Sequence, residues 1–284
     1  MSVTLQQKSL SLSENTDTSI YDFGLVQQVI SPEEISINKI TATVEKTFVK
    51  KDHLGYLYNI KISNRSQSNT DAMFGLEEKL AFLQNNIVLY TNTQGEIITI
   101  LNRGQIAEDW YDVAKCIKKD FKYLLPEMKE FLFGIDSLIQ DNALFVGMIK
   151  KSEIYSALFP PIYDQHLVQK ITIEQQKKIE NFFDSETLPL TIQTAITGIN
   201  KDNKGKQLIR SGNLDLAQFD KESVSELFTR SYGVHEYALN YDVSYLEVFD
   251  LNPKNQVDKA NIMLGVKVNN LYQLKQISKL TKKK

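Results

Sequence analysis

The stretch that decides the fold runs from His235 to Tyr245 and reads HEYALNYDVSY. Apolar or aromatic residues occupy every second position, and small or polar residues fill the positions between them. The apolar series is Tyr237, Leu239, Tyr241, Val243 and Tyr245. A period of two places these five side chains on one face of a strand. The stretch therefore predicts a half-buried antiparallel strand whose buried face carries three tyrosines.

The same alternation in other parts of the chain predicts antiparallel hairpins. Residues Ile40–Phe48 and Leu54–Ile62 alternate in this way on either side of a short polar turn, which predicts a long hairpin. A second hairpin is predicted to turn at Asn92–Gly95, where the glycine can adopt a positive φ angle. Further alternating stretches at residues 188–196 and 260–268 predict a C-terminal meander.

The middle of the sequence has the spacing of amphipathic helices. One helix is predicted to begin at Asn102, whose side chain is expected to act as its N-cap, and another begins at Pro126. A third covers Leu144–Tyr155 and ends before two consecutive prolines. A shorter helix is predicted over Thr172–Phe183, because Thr172 and Gln175 have the spacing of a capping box.

These patterns together predict an α+β fold. Antiparallel β hairpins and a meander form the N- and C-terminal parts, and a central group of helices covers the sheet. The predicted parts are a β-rich segment with short helices at residues 1–125, a helical segment at 126–185 and an antiparallel meander with one helix at 186–284. One continuous domain is the alternative to this division.

Composition and charge exclude several classes of function. With 33 basic and 35 acidic residues, the chain has a net charge of -2, so no nucleic-acid partner is expected. The single cysteine permits neither an intramolecular disulfide nor a multi-cysteine metal site. No run reaches the ~18 apolar residues that a membrane-spanning helix needs. The chain as given has no signal peptide, so the cytoplasm is the default location, and an exported mature chain is the alternative.

Few residues have the spacing of a catalytic or metal site. The three histidines form no zinc-binding pair, and glycine patterns for phosphate binding are absent from the sequence, so neither metal nor cofactor is expected. Asp164 and His166 follow the rigid Pro160-Pro161 pair, which could present both side chains together. An enzyme of the hydrolase type that uses this pair is one alternative function.

Tyrosines on two strands are the strongest candidates for a binding site. Tyr56 and Tyr58 alternate on one strand, and Tyr237, Tyr241 and Tyr245 alternate on another. Such residues suit either the boundary of a core or the wall of a pocket for an amphipathic molecule. The main prediction is a non-enzymatic, soluble binding protein that holds a partner protein or a hydrophobic or amphipathic ligand on this tyrosine-lined face. A structural subunit of a larger assembly is the third possibility, since long hairpins leave strand edges exposed.

Overall fold

Long antiparallel strands dominate the computed structural model of the chain. Its strands are β1 (Thr18–Ile30), β2 (Ile35–Lys51), β3 (Gly55–Gln67), β4 (Asn86–Asn92), β5 (Ile97–Ile100), β6 (Ile173–Phe183), β7 (Glu186–Ile199), β8 (Lys206–Leu214), β9 (Tyr241–Leu251), β10 (Val257–Val268) and β11 (Tyr272–Lys282). The structure describes residues 10, 18–123, 127–163, 173–183, 185–199, 205–233 and 239–284.

The strands are hydrogen-bonded in the order β5-β4-β3-β2-β1-β11-β10-β9-β8-β7-β6. Every strand pair with an assigned register is antiparallel. The helices are α1 (Ala72–Leu80), α2 (Arg103–Asp120), α3 (Met128–Gln140), α4 (Asn142–Lys151), α5 (Glu153–Leu158) and α6 (Lys221–Tyr232). The predicted α+β class, with hairpins, a meander and a central group of helices, is confirmed.

The chain divides into two compact units, and three strands contribute residues to both. The first unit comprises Met1–Leu10, Leu25–Asn38 and Gln165–Lys279, and the second comprises Ser11–Gly24, Lys39–Asp164 and Leu280–Lys284. The strands that the two units share are β1, β2 and β11. The three-part division at residues 125 and 185 stays a prediction.

The first unit packs α6 against one face of its strands. Leu190 and Ile192 of β7, Val224 and Phe228 of α6, and Val266 of β10 belong to one buried cluster. Helix α6 is fixed at both ends. The Asp220 carboxylate accepts a hydrogen bond from the backbone N–H of Ser223 at 3.0 Å, and Gly233 ends the helix in the left-handed conformation with φ of 67°.

The second unit packs α4 beside β5, and α3 beside both α2 and α4. The indole ring of Trp110 on α2 stacks on Phe82 with ring centroids 6.0 Å apart, and its N–H donates to the Asp136 carboxylate on α3 at 2.6 Å. The hydroxyl of Tyr155 on α5 donates to the backbone carbonyl of Gln84 at 2.7 Å. We call the sheet face that carries Val44, Ile60 and Leu89, all fully buried, the inner face of the second unit.

The predicted helix over Thr172–Phe183 is wrong, because this stretch forms strand β6. Lys177 pairs with Leu190 and Ile179 pairs with Leu188 in an antiparallel register with β7. Glutamine and lysine favour helices locally, but pairing with a neighbouring strand overrides such weak preferences. Thr172, on which the capping box depended, lies outside the described residues.

Strand β1 was not predicted, although its alternation is regular. Tyr21, Phe23 and Leu25 are buried and alternate with exposed or half-buried positions. The strand lies between β2 and β11 in the sheet, so it is central. Asn102 also departs from prediction. It precedes α2, but its side chain binds the strand instead of the helix, accepting from the Val88 N–H at 2.9 Å.

The tyrosine-striped strand begins later than its sequence pattern indicates. Strand β9 starts at Tyr241, and the alternating burial continues through Leu251. Leu239 and Asn240 precede the strand. Residues 235–238 of the predicted strand, including Tyr237, lie outside the described part of the chain.

The two strands at the ends of the hydrogen-bonding order are poor templates for self-association. Strand β5 has four residues. Strand β6 carries Glu174, Lys177, Lys178 and Glu180 along its length. Short edges and charged edges both discourage pairing with another chain. The predicted role as an assembly subunit therefore gains no support from these edges.

Among the described helices, no single one is both long enough and apolar enough to span a membrane. Helices α3 and α4 satisfy both conditions when taken together, but the chain bends by 98° where the two helices meet.

Candidate binding site

Tyr56 and Tyr58, two of the predicted site residues, lie on the inner face of the second unit. Their side chains are 3% and 5% exposed, and their rings stack with centroids 6.4 Å apart. The ring of Phe159, just after α5, meets Tyr58 edge-on at 5.4 Å. Burial raises the pKa of the Tyr58 hydroxyl well above its ordinary value, with smaller contributions from Tyr56 and Tyr21. The Tyr58 phenol is therefore a neutral group in an aromatic environment.

Lys46 shares this aromatic environment. It pairs with Ile60 in the β2–β3 register, at an inward position two residues from the buried Val44. Its Nζ atom lies 4.1 Å from the ring centroid of Phe159 and 4.7 Å from that of Tyr58. The amine donates a hydrogen bond to the Leu158 carbonyl at 3.3 Å. The residue as a whole is partly exposed.

The charge of Lys46 is poorly compensated. Within the described part of the chain, no carboxylate forms an ion pair with its amine. Burial, followed by repulsion from Lys282, lowers the pKa of Lys46 from 10.5 to about 7. A buried cation usually has an anionic partner, because desolvation without one is costly. Lys46 instead has a carbonyl oxygen and two aromatic rings.

Replacing Lys46 with methionine is expected to raise the melting temperature near neutral pH, because methionine keeps the volume and removes the disfavoured charge. Between the folded pKa of about 7 and the ordinary value of 10.5, the unfolded chain binds the additional proton. The cost of the charge is therefore complete below about pH 7 and is relieved as the pH rises. Thermal unfolding at about pH 7 and about pH 9 should show a rise for the wild type that Lys46→Met lacks.

The control for this comparison is Lys61→Met, since Lys61 is exposed on the opposite face of β3. This variant should keep the wild-type pH dependence. A lower melting temperature of Lys46→Met at both pH values would contradict the expectation. The hydrogen bond to Leu158 and the ring contacts would then outweigh the cost of burying the charge.

Tyr241 and Tyr245 lie in the first unit and have different surroundings. The Tyr241 hydroxyl forms a hydrogen bond of 3.0 Å with the Ser225 hydroxyl on α6, and its ring meets Phe219 edge-on at 5.0 Å. Tyr245 is buried and pairs with Gly212 of β8. A side chain on Gly212 would collide with Ile192 and Tyr245, so the glycine makes room for the Tyr245 ring. Both tyrosines are thus engaged in the packing of the first unit.

A buried ionic cluster adjoins Tyr245. Glu247 on β9 and Arg210 on β8 form a salt bridge with both side chains almost wholly buried. Lys177 on β6 forms a second salt bridge with Glu247 at 2.9 Å, and the Tyr245 hydroxyl also donates to this carboxylate. Burial alone would raise the pKa of Glu247, but Lys177, Arg210 and the Tyr245 hydroxyl lower it below its ordinary value.

The rest of the Arg210 guanidinium is also satisfied. Nε donates to the Thr194 hydroxyl on β7 at 3.3 Å, and a terminal nitrogen donates to the Gln175 side chain on β6 at 3.3 Å. The cluster therefore links four neighbouring strands, β6 to β9, through polar side chains on one face. Its partners are mutually satisfied, which favours a structural role in fixing the register of these strands.

An open groove of about 460 Å³ lies on the face of β9–β11 opposite the buried cluster of the first unit. Gly265 lines the groove and has no side chain to fill it. Met263, Lys267 and Lys275 line it together with Asp242. The groove mixes apolar and charged groups of both signs, as protein-binding surfaces do. A protein partner on the tyrosine-lined face stays a prediction.

The other candidate residues remain untested. Asp164 and His166 both lie outside the described residues, so the Asp/His enzyme stays an alternative prediction. Among residues that the structure describes, no three side chains of histidine, cysteine, aspartate or glutamate are grouped so that they could hold a metal ion. Cys116 is exposed on α2.

Comparison with known proteins yields likeness at the level of the fold alone. No protein-family model matches the sequence, and no curated protein matches it. A solved structure described as "Lipid-protein interactions in lipovitellin" aligns with a TM-score of 0.47 and 9% sequence identity. The alignment covers 98% of this chain and 26% of that chain. This likeness assigns no function to the present chain.

Proposed function

We propose that the chain is a non-enzymatic binding protein that holds an amphipathic small molecule against the inner face of its second unit. The observation that carries the proposal is Lys46, a partly exposed cation beside the rings of Tyr58 and Phe159 with no carboxylate partner in the described structure. Small-molecule sites combine apolar and aromatic walls with a few polar groups that fix the orientation of the ligand.

The energetic cost of Lys46 supports a functional role over a packing role. A methionine at this inward position would fill similar space without a charge to desolvate. Residues that are costly to the fold and have a perturbed pKa are enriched at functional sites. The competing explanation is that Lys46 caps the carbonyl end of α5 through Leu158. The stability of Lys46→Met separates the two, because loss of a cap would lower it.

The proposal is tested with a neutral apolar fluorophore, N-phenyl-1-naphthylamine, and the single tryptophan of the chain. Trp110 is buried on α2 in the second unit, so its emission reports on that unit. We expect saturable energy transfer from Trp110 to the bound probe, and its reversal by added decanol. In Trp110→Phe, which lacks the donor, the probe should still brighten on binding but receive no transferred energy.

The absence of saturable transfer in the wild type, with no brightening of the probe, would overturn the proposed function. Brightening without transfer would place the probe away from Trp110 and would contradict a site in the second unit.

A further inference from the structure

We infer that Lys46 receives the anionic head of the ligand, a carboxylate or a phosphate, while its apolar part lies beside the rings of Tyr58 and Phe159. This inference rests on the proposed function and names the chemistry of the ligand at the same site. Lys46 has contacts with both rings at 4.7 Å and 4.1 Å, so a molecule whose head reached the amine would have its chain next to aromatic carbon.

The hydrogen-bonding capacity of the amine exceeds what the protein supplies. A lysine ammonium has three N–H donors. Within the described residues, its one hydrogen bond is the 3.3 Å contact with the Leu158 carbonyl. A carboxylate or phosphate oxygen would accept from the remaining donors and would form a charge-assisted hydrogen bond in a partly desolvated setting.

The charges around Lys46 select the sign of the head group. Among the described residues, Lys282 of β11, another cation, is the charged group whose repulsion lowers the pKa of Lys46. Tyr58, on β3, is a neutral phenol, since burial raises its pKa. The carboxylate of Asp22, which belongs to the same unit, is already paired with Lys283 at 2.8 Å. An anion would therefore complement the charge of Lys46, and a cationic head would be repelled by it.

The test compares ligands that share one chain and differ in the head group. Decanoate, decyl phosphate, decanol and decylamine are each used to displace N-phenyl-1-naphthylamine from the full chain. We expect decanoate or decyl phosphate to bind about tenfold more tightly than decanol, as one charge-assisted hydrogen bond allows. Decylamine should be the weakest of the four. Which of the two anions has the higher affinity then distinguishes a carboxylate ligand from a phosphate ligand.

Lys46→Met should bring the anion-to-alcohol preference close to one, because it removes the cation that distinguishes the anions from the alcohol. Lys61→Met, the exposed control, should keep the preference. In the wild type the preference for decanoate over decanol should fall between about pH 6 and about pH 8.5, because decanoate stays ionised while the Lys46 amine loses its proton over this range.

The outcomes separate the two proposals. Equal binding of decanoate, decyl phosphate and decanol by the wild type would overturn the head-group assignment and leave the binding function standing. A preference for anions that persists in Lys46→Met would overturn the role of Lys46. Failure of the wild type to bind the neutral probe and all four ligands would overturn the proposed function itself.

Discussion

Replacing Glu247 with alanine is expected to lower the free energy of unfolding by about 3–5 kcal/mol. The substitution leaves Arg210, which is 3% exposed, as a buried charge without its carboxylate partner. Lys177 loses its salt bridge as well. Urea unfolding followed by circular dichroism measures the change. The exposed Glu226 on α6 gives the control, and Glu226→Ala should stay within about 0.5 kcal/mol of the wild type.

The same cluster can be removed as a unit. The double variant Arg210→Met with Glu247→Leu replaces the paired charges with apolar side chains, and we expect it to recover most of the stability lost in Glu247→Ala. A loss below about 1 kcal/mol in Glu247→Ala would contradict a desolvated ion pair in this position.

Gly55→Ala is expected to cost about 3 kcal/mol or more, because β3 and β4 approach too closely for a side chain at this position. A Cβ atom on Gly55 would overlap the carbonyl group of Thr91 on β4. That group belongs to the backbone, so relief requires the two strands to separate. Urea unfolding measures the cost, and hydrogen exchange of the β4 amides should show the local separation.

Gly24→Ala is the matched control for this variant. Gly24 lies on β1 in the same unit, and a Cβ atom there would meet nothing within 4 Å. Its stability should therefore stay near that of the wild type. Equal stabilities of Gly55→Ala and Gly24→Ala would show that β3 and β4 do not approach as closely as described. Because Gly55 precedes Tyr56, Gly55→Ala should also weaken binding of the apolar probe.

Alternation of apolar residues predicted the strands well where the pattern had no competing local signal. The β2–β3 hairpin and the part of β9 from Tyr241 onward follow directly from it. Strand β6 was missed because its glutamines and lysines favour a helix when considered locally. Its strand conformation depends on pairing with β7, which lies later in the chain. Local propensity contains no information about such a partner.

The inward-facing charged residues interrupt the alternation of apolar and polar residues in the sequence. Lys46, Arg210 and Glu247 each occupy an inward position in a strand of buried residues. Their roles depend on which residues lie opposite, and that requires the strand register. Arg210 pairs with Glu247 across β8 and β9, whereas Lys46 pairs with Ile60. The register therefore separates a compensated charge from an uncompensated one.

Energy transfer from Trp110 to N-phenyl-1-naphthylamine, followed as decanoate is added, tests the central claim most directly. The tryptophan is unique and lies in the unit that contains Lys46, so the signal reports both binding and its location. The account predicts saturable transfer that decanoate reverses at lower concentration than decanol does. A wild-type chain that neither binds the probe nor transfers energy to it would contradict the account.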